Sequence, residues 1–362
     1  MVENFNSRRE FLKRISTVGA AGITMGALGT GCASGIKKAA SVSLRNPVSM
    51  DSPVSFVTGK DHREAAFQAL KPLKKEIEKA IGNKQVIIKV NMGQTKKELW
   101  LNATDADFTR GILDFLATFY DKTIIVAEST ASGENKGTIA GFENYNFMPM
   151  LKEYNIRFAD LNDEPSTTKF ILDQNNHPLA IDIIDTYLDP NVYLISATRL
   201  KTHDTVIATL SYKNIVMGSP LHRYKLTSRE KNQKPKMHSG ASRGLSYNLF
   251  LLANMGVRPD LAVLDGVVGM EGDGPVWGTP IEQGVVLASA DPLAADRLGV
   301  ELMGIDYSEI KYLQWISAAG FGNDDLSKIK IIGPDYKPHI IKYKLHKNIE
   351  RQRQWISEDY KS

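Results

Sequence analysis

Lys201 and His203 follow an apolar run at 192–197, with Arg199 just before them and the pair Lys213-Asn214 further on. Lysine and arginine hold the oxygens of carboxylates and phosphates, and an imidazole moves a proton near neutral pH. On an extended strand end, positions 201 and 203 point to one face, so the lysine would grip an anion while the histidine exchanged a proton with it. The competing reading is a surface lysine beside a capping histidine, with Thr202 or Asp204 opening a helix. Lys213 and Asn214 favour the functional reading. They close an apolar stretch that reads as helical, where a cation and an amide have no place in a core.

Other chemistry-bearing residues stand at the ends of predicted strands. Lys89 and Asn91 close the run 86–90, Glu128 closes 123–127, and Asp265 closes 261–264. The expected catalytic set is Lys201, His203 and Glu128. The expected ligand-binding set is Lys89, Asn91, Arg199, Lys213 and Asn214, with His222-Arg223 as an anion clamp and Gly272 and Gly274 as a loop whose amides approach a ligand. That glycine-rich stretch, 269–275, displays Glu271 and Asp273 and reads equally well as a wide turn between strands. Three of the seven histidines fall within 203–238. His203 and His238 with Asp273 are the metal candidates, although their spacing matches no compact ligand motif. Asp291, placed before Pro292, reads as a helix cap.

The elements that must position these residues alternate. Apolar residues at helical spacing over 62–81 end at Gly82. Predicted strands at 86–90, 123–127 and 156–159 enclose predicted helices at 105–120, capped near Thr104, and 147–154, with a loop at 129–141. Short strands at 168–184 turn at Asn175-Asn176 as an antiparallel excursion. After the 192–197 strand come a polar segment at 224–242, a helix at 245–255, strands at 261–264 and 284–288, and helices from Asp291 and over 310–318. Late strands follow at 329–332 and 340–343. This order predicts an α/β fold: a mostly parallel sheet with helices on both faces and a small antiparallel excursion.

Composition narrows the partners. The chain has 362 residues, 42% hydrophobic and 24% charged, with a formal net charge of +4. Four cations (Arg8, Arg9, Lys13, Arg14) oppose Glu3 and Glu10 near the start, which leaves about +2 for the rest, too little to imply nucleic acid or an anionic membrane face. The single cysteine, Cys32, excludes an internal disulfide and a thiolate-held iron–sulfur cluster within one chain. A metal ion would need His, carboxylate or carbonyl ligands.

Ser7-Arg8-Arg9-Glu10-Phe11-Leu12-Lys13 resembles the twin-arginine export motif, followed by a Gly/Ala-rich apolar run at 15–31 that is too short for a good membrane span. The expected partner in export is the twin-arginine translocase. Leu28-Gly29-Thr30-Gly31-Cys32 reads as a lipoprotein cleavage box with its leucine one place upstream, so two outcomes stand: lipidation of Cys32, or a cut near Ala33 that frees a periplasmic protein. The resulting organisation is a signal at 1–32, a tether at 33–55, one α/β domain at 56–346 and a charged end at 347–362. Contact with a membrane would be through the signal or the lipid only.

Taken together, Lys89-Val90-Asn91, Glu128, Lys201-Thr202-His203, Lys213-Asn214, Gly218, His238, Asp265-Gly266, 269–275, Gly278 and Asp291 resemble domain-of-unknown-function family 362 over 86–305. The resemblance implies a shared α/β fold and polar site but carries no established reaction. Some similar chains carry cysteine-rich, ferredoxin-like modules, and this one lacks those cysteines. Val90 stands where the resemblance leads us to expect proline. Two functions stay open: an exported enzyme that binds a small anionic molecule and uses Lys/His acid–base chemistry, and a non-catalytic holder of a metal or cofactor for a partner system.

Overall fold

The computed structural model describes residues 52–132, 136–223 and 232–359. The export motif and Cys32 lie outside the described residues, as do most of the tether and the middle of the polar segment after Arg223. Described residues up to Arg353 belong to one compact unit, and 354–359 to a second.

The strands are β1 (Val54–Thr58), β2 (Gln85–Lys89), β3 (Ile124–Glu128), β4 (Ile156–Asp160), β5 (Ser166–Leu172), β6 (Pro178–Ile184), β7 (Val192–His203), β8 (Ile207–Thr209), β9 (Leu261–Glu271), β10 (Thr279–Ser289) and β11 (Ile331–Ile332). The main helices are α1 (His62–Leu70), α2 (Lys74–Ile81), α3 (Ala106–Leu116), α4 (Thr138–Asn144), α5 (Met150–Glu153), α6 (Ser211–Gly218), α7 (Ala241–Asn254), α8 (Pro292–Leu302), α9 (Lys311–Ala318) and α10 (Ile349–Asp359). Aspartates start several of them. Asp61, Asp105 and Asp291 each accept two backbone N–H bonds at the first turns of α1, α3 and α8, which satisfies donors that a helix start otherwise leaves unmet.

Among the described residues nine strands form one sheet in the order β11-β1-β10-β9-β7-β2-β3-β4, with β8 on β7. From β9 to β4 every neighbour is parallel, while β10 runs antiparallel between β9 and β1. β5 and β6 form a separate antiparallel hairpin. Strand alternation sorts the core. Val86, Ile88, Val126, Tyr193, Ile195 and Val263 face α1 and α3 in one apolar layer, and α6 and α8 pack on the sheet's other side. A buried aliphatic side chain of this kind stabilises by about 1.5–3 kcal/mol, so the sheet centre is fixed mainly by its β-branched runs.

Several expected boundaries move. β7 does not stop at Ala197; all twelve residues from Val192 to His203 are strand, and all are buried. The segment after His203 is not helical: β8 pairs Thr209 with Lys201, and α6 starts at Ser211. Lys213 and Asn214 therefore open a helix instead of closing one. β9 likewise runs through Glu271, because pairing with β10 continues to Thr279. The predicted tether already ends in strand, since β1 begins at Val54. Residues 340–343 form no strand; Ile341 and Tyr343 donate instead to Leu302 and Met303 at the end of α8.

Candidate functional site

Because β3, β2, β7 and β9 are parallel neighbours, their carboxyl ends lie along one edge of the sheet. Lys89 ends β2 and Glu128 ends β3. Lys89 Nζ lies 2.7 Å from Glu128 Oε1, with side chains 2% and 3% exposed. The same ammonium donates to Asn214 Oδ1 at 2.7 Å, and Asn91 Nδ2 donates to that oxygen at 2.8 Å. Asn91 Oδ1 accepts from Lys201 Nζ at 2.5 Å, and Lys201 also donates to the Asn102 carbonyl at 2.6 Å. Glu128 accepts from the backbone N–H of Met92 at 2.6 Å and of Ser129 at 2.7 Å. Eight residues from five separate stretches of the chain thus close into one network. Burial lowers the Lys89 pKa against the pull of Glu128. It pushes Lys201 well below the ordinary lysine value, with repulsion from Lys213 and Arg199 adding to the effect.

Gly218 makes room for this network. A Cβ there would sit 2.6 Å from the Tyr187 hydroxyl and 2.8 Å from Lys89 Cε, so any side chain would push the lysine off Glu128. Asp296 positions α6, whose first turn carries Lys213 and Asn214. Its carboxylate accepts from Ser211 N at 2.8 Å, Ser211 Oγ at 2.6 Å and Tyr212 N at 3.0 Å, capping the helix from across the fold.

Lys213 differs from its neighbours. It is 6% exposed, and among the described residues it makes no hydrogen bond or ion pair. Burial pushes its pKa down to about 8; Asp204 acts against this and Lys89 adds to it. His203 is equally buried, at 4% exposure. The backbone N–H groups of Thr205 and Val206 donate to its Nδ1 at 3.0 and 3.4 Å. Asp204 Oδ1 is 3.1 Å from the same nitrogen, but Nδ1 cannot both accept from the backbone and donate to a carboxylate. Leaving two backbone donors unmet would cost more, and Thr205 Oγ1 already donates to Asp204. Nδ1 therefore carries the lone pair and Nε2 the proton. Burial, then Lys213, keeps the ring neutral by holding its pKa well below the usual histidine value. The expected general base is, in this arrangement, a hydrogen-bond donor. His238 keeps solvent contact while crowded enough that burial, then Lys213, lowers its pKa too.

The remaining expected residues lie elsewhere or are engaged. Arg199 donates from Nε to the Ala103 carbonyl at 3.1 Å and from Nη1 to that of Val268, so protein oxygens occupy its fork. Behind it, Asp265 accepts from or faces His62 Nδ1 at 3.0 Å. His222 Nδ1 is 3.1 Å from the Thr130 carbonyl, and Arg223 reaches the carbonyls of Asn162 and Glu164; the pair ties loops together. Gly272 N donates to the Lys344 carbonyl and Gly274 N to that of Gly272. A Cβ on Gly274 would meet the Thr202 carbonyl at 2.2 Å, so this glycine serves packing against β7. Asp273 engages Lys347 at 3.2 Å and His346 at 3.6 Å. Among the described residues no three His, Cys, Asp or Glu side chains converge to hold a metal ion.

Sequence reading missed Asn102, Asp296 and Lys234. Lys234 hooks the carbonyls of Gly218 at 2.8 Å and Met217 at 3.1 Å, and burial lowers its pKa to about 7. Its place in a lysine-rich polar segment hid it. Nothing in the local sequence marks Asn102, which meets Lys201 through its backbone carbonyl.

Chemically, the edge sets Lys89, Lys201 and Lys234 near Glu128, and Lys213 near Lys89 and Asp204, with a neutral imidazole donor beside them. Such a set suits a small anion. The fold and this network define an α/β protein with a polar site at the carboxyl ends of parallel strands. The chain belongs to the family of the domain of unknown function DUF362, which matches residues 86–301.

The chain is also similar to the thylakoid-associated protein sll1697 of Synechocystis sp., with 25% identity over 187 residues, 51% of this chain and 52% of that protein. It thus spans about half the length of that relative. A crystal structure of a protein from Thermotoga maritima aligns with 68% of this chain and 60% of its own, at a TM-score of 0.35 and 11% identity. Among the described residues no helix is long and apolar enough to cross a membrane.

Proposed function

We propose that this protein binds a small anionic molecule at the carboxyl edge of its sheet, with Lys213 Nζ and the Nε2–H of His203 as direct donors. One observation carries the reading: Lys213 is buried, yet no described side chain or carbonyl accepts from it. A lysine so largely enclosed has lost most of its hydration without gaining an acceptor, and an anionic ligand would supply what the fold omits. Lys89, Lys201, Asn91 and Asn214 hold the floor of the site in place. Glu128 holds Lys89 in place and is not itself open to a ligand.

Export through the twin-arginine translocase, with lipidation of Cys32 or release into the periplasm, is proposed from the residues at 7–32. The name of the Synechocystis relative, thylakoid-associated, is in keeping with an anchored product. Fractionation of cells expressing the chain, with Arg8 and Arg9 both replaced by lysine, tests it: the wild-type protein leaves the cytoplasm and the variant stays.

The binding reading is tested by thermal unfolding of the purified full chain with oxalate or phosphate. It predicts a rise in Tm for the wild type that is absent in Lys213→Met and smaller in His203→Asn. Equal rises in all three proteins would reject it.

A further inference from the structure

The described residues offer several candidates beyond the anion floor. The His62–Asp265 pair, 3.0 Å apart, has the geometry of a proton-handling dyad, but a buried Asp265 that anchors α1 explains it fully. Exposed Trp277 and Phe170 sit on hairpins with nothing to indicate a partner. Lys213 goes furthest, because its lack of an acceptor bears on reactivity as well as binding.

We propose that Lys213 forms an imine with small anions that carry an aldehyde or ketone, 2-oxo acids being the class that combines both groups. The proposal rests on the anion-binding reading and deepens it. A lysine amine is a nucleophile only when unprotonated and free of strong hydrogen bonds. Lys89 and Lys201 each donate to two oxygens; Lys213 donates to none among the described residues and is 6% exposed. Its position in the first turn of α6 is fixed by Asp296, through Ser211 and Tyr212, so the amine stands on a rigid support. Burial pushes its pKa down to about 8, which leaves roughly a tenth of the molecules with a free amine near neutral pH.

The remaining groups divide the work. The His203 Nε2–H suits the carbonyl oxygen as negative charge develops there, while Lys89 and Lys201, each already donating to two protein oxygens, hold the floor beneath the ligand. The Lys213 lone pair adds to the carbonyl carbon, the C=O π electrons move to oxygen, and a proton passes from nitrogen to that oxygen to give a carbinolamine. A proton from water then lets the oxygen depart as water while the nitrogen lone pair forms the C=N bond, and the iminium nitrogen returns its proton to water. Amine and carbonyl yield imine and water, with no change in oxidation state and no co-reactant. His203, read here as the tautomer that donates from Nε2, polarises the oxygen without first needing deprotonation.

Borohydride trapping tests the step. The full chain is mixed with glyoxylate or pyruvate, reduced with sodium borohydride and examined by intact-mass and peptide mass spectrometry. The expected result is one secondary-amine adduct per chain on the peptide bearing Lys213, lost in Lys213→Met and Lys213→Arg and suppressed by excess oxalate. No adduct, or adducts spread over exposed lysines and unaffected by Lys213→Met, would overturn it. Oxalate, which has a carboxylate but no reducible aldehyde or ketone, separates the two proposals. A Tm rise with oxalate and no trapped adduct removes the imine and leaves anion binding. Absence of both removes both.

Discussion

Lys89 and Lys213 lie at the same sheet edge, both nearly sealed from water, yet the fold treats them in opposite ways. Lys89 is held by Glu128 and Asn214 at 2.7 Å each, and Gly218 leaves space for that contact. Lys213, carried on the first turn of α6, has no acceptor among the described residues. The first arrangement is scaffold: remove one partner and a buried charge is stranded. The second is an unfinished contact, which is what a ligand site looks like before the ligand arrives. The difference separates stability from function within one cluster of lysines.

Cutting the closed Lys89–Glu128 pair should have the largest effect. Lys89→Met should destabilise the protein by about 3–5 kcal/mol, read as a lower denaturant midpoint, because Glu128 is left buried without its cation. Adding Glu128→Gln to that variant should recover part of the loss, since the stranded charge goes too. Lys213→Met should do the reverse and stabilise by on the order of 1–2 kcal/mol at neutral pH, because a methionine of similar length fills the space with no amine to desolvate. A destabilisation as large as that of Lys89→Met would show that Lys213 is structural after all.

A pH series sharpens the same contrast. The Lys213 pKa, about 8 when folded, lies below its ordinary value of 10.5, so the unfolded chain binds more protons between the two. Stability should therefore rise with pH across that window, and the burden of charging the buried amine is fully present below it. Lys234, at about 7, contributes with the same sign from a lower starting pH. Lys213→Met should remove up to about 1.4 kcal/mol per pH unit of that slope between pH 8 and 10. An unchanged slope would mean that this amine does not titrate as placed.

The smallest expected effect separates the two nitrogens of His203. In His203→Asn the amide oxygen can stand in for Nδ1 and keep the backbone donors of Thr205 and Val206 satisfied, while the Nε2–H is lost. Oxalate affinity should fall roughly tenfold, the scale of one hydrogen bond to a charged acceptor, with Tm in the absence of ligand changed little. Loss of fold without loss of affinity in the folded fraction would reverse the assignment.

The sequence made much of this edge legible. Lys89, Asn91, Glu128 and Lys201 stand out as polar residues at the ends of apolar strand runs, and Asn214 as an amide in an apolar stretch that reads as helical; the five come together in space. The doubly covered parallel sheet was readable for the same reason: its strands are continuous apolar runs. Pairing was harder to see. β7 extends to His203 because β8 folds back on it, and β9 extends to Glu271 because β10 continues beside it; both depend on partners distant in the chain. His203 shows a further limit. Its type suggested a base, but the tautomer is set by two backbone N–H groups in the following turn, which no spacing rule records. Arg199 and Gly274 looked like ligand groups and serve the packing of β7, since an arginine among carbonyls and a glycine against a backbone oxygen carry no distinguishing mark in sequence.

The most direct test is a crystal structure of the full chain with oxalate bound. Oxalate oxygens within hydrogen-bond distance of both Lys213 Nζ and His203 Nε2, above an undisturbed Lys89–Glu128 pair, is the predicted result. Oxalate bound elsewhere, or Lys213 engaged by a protein acceptor at that edge, would contradict it.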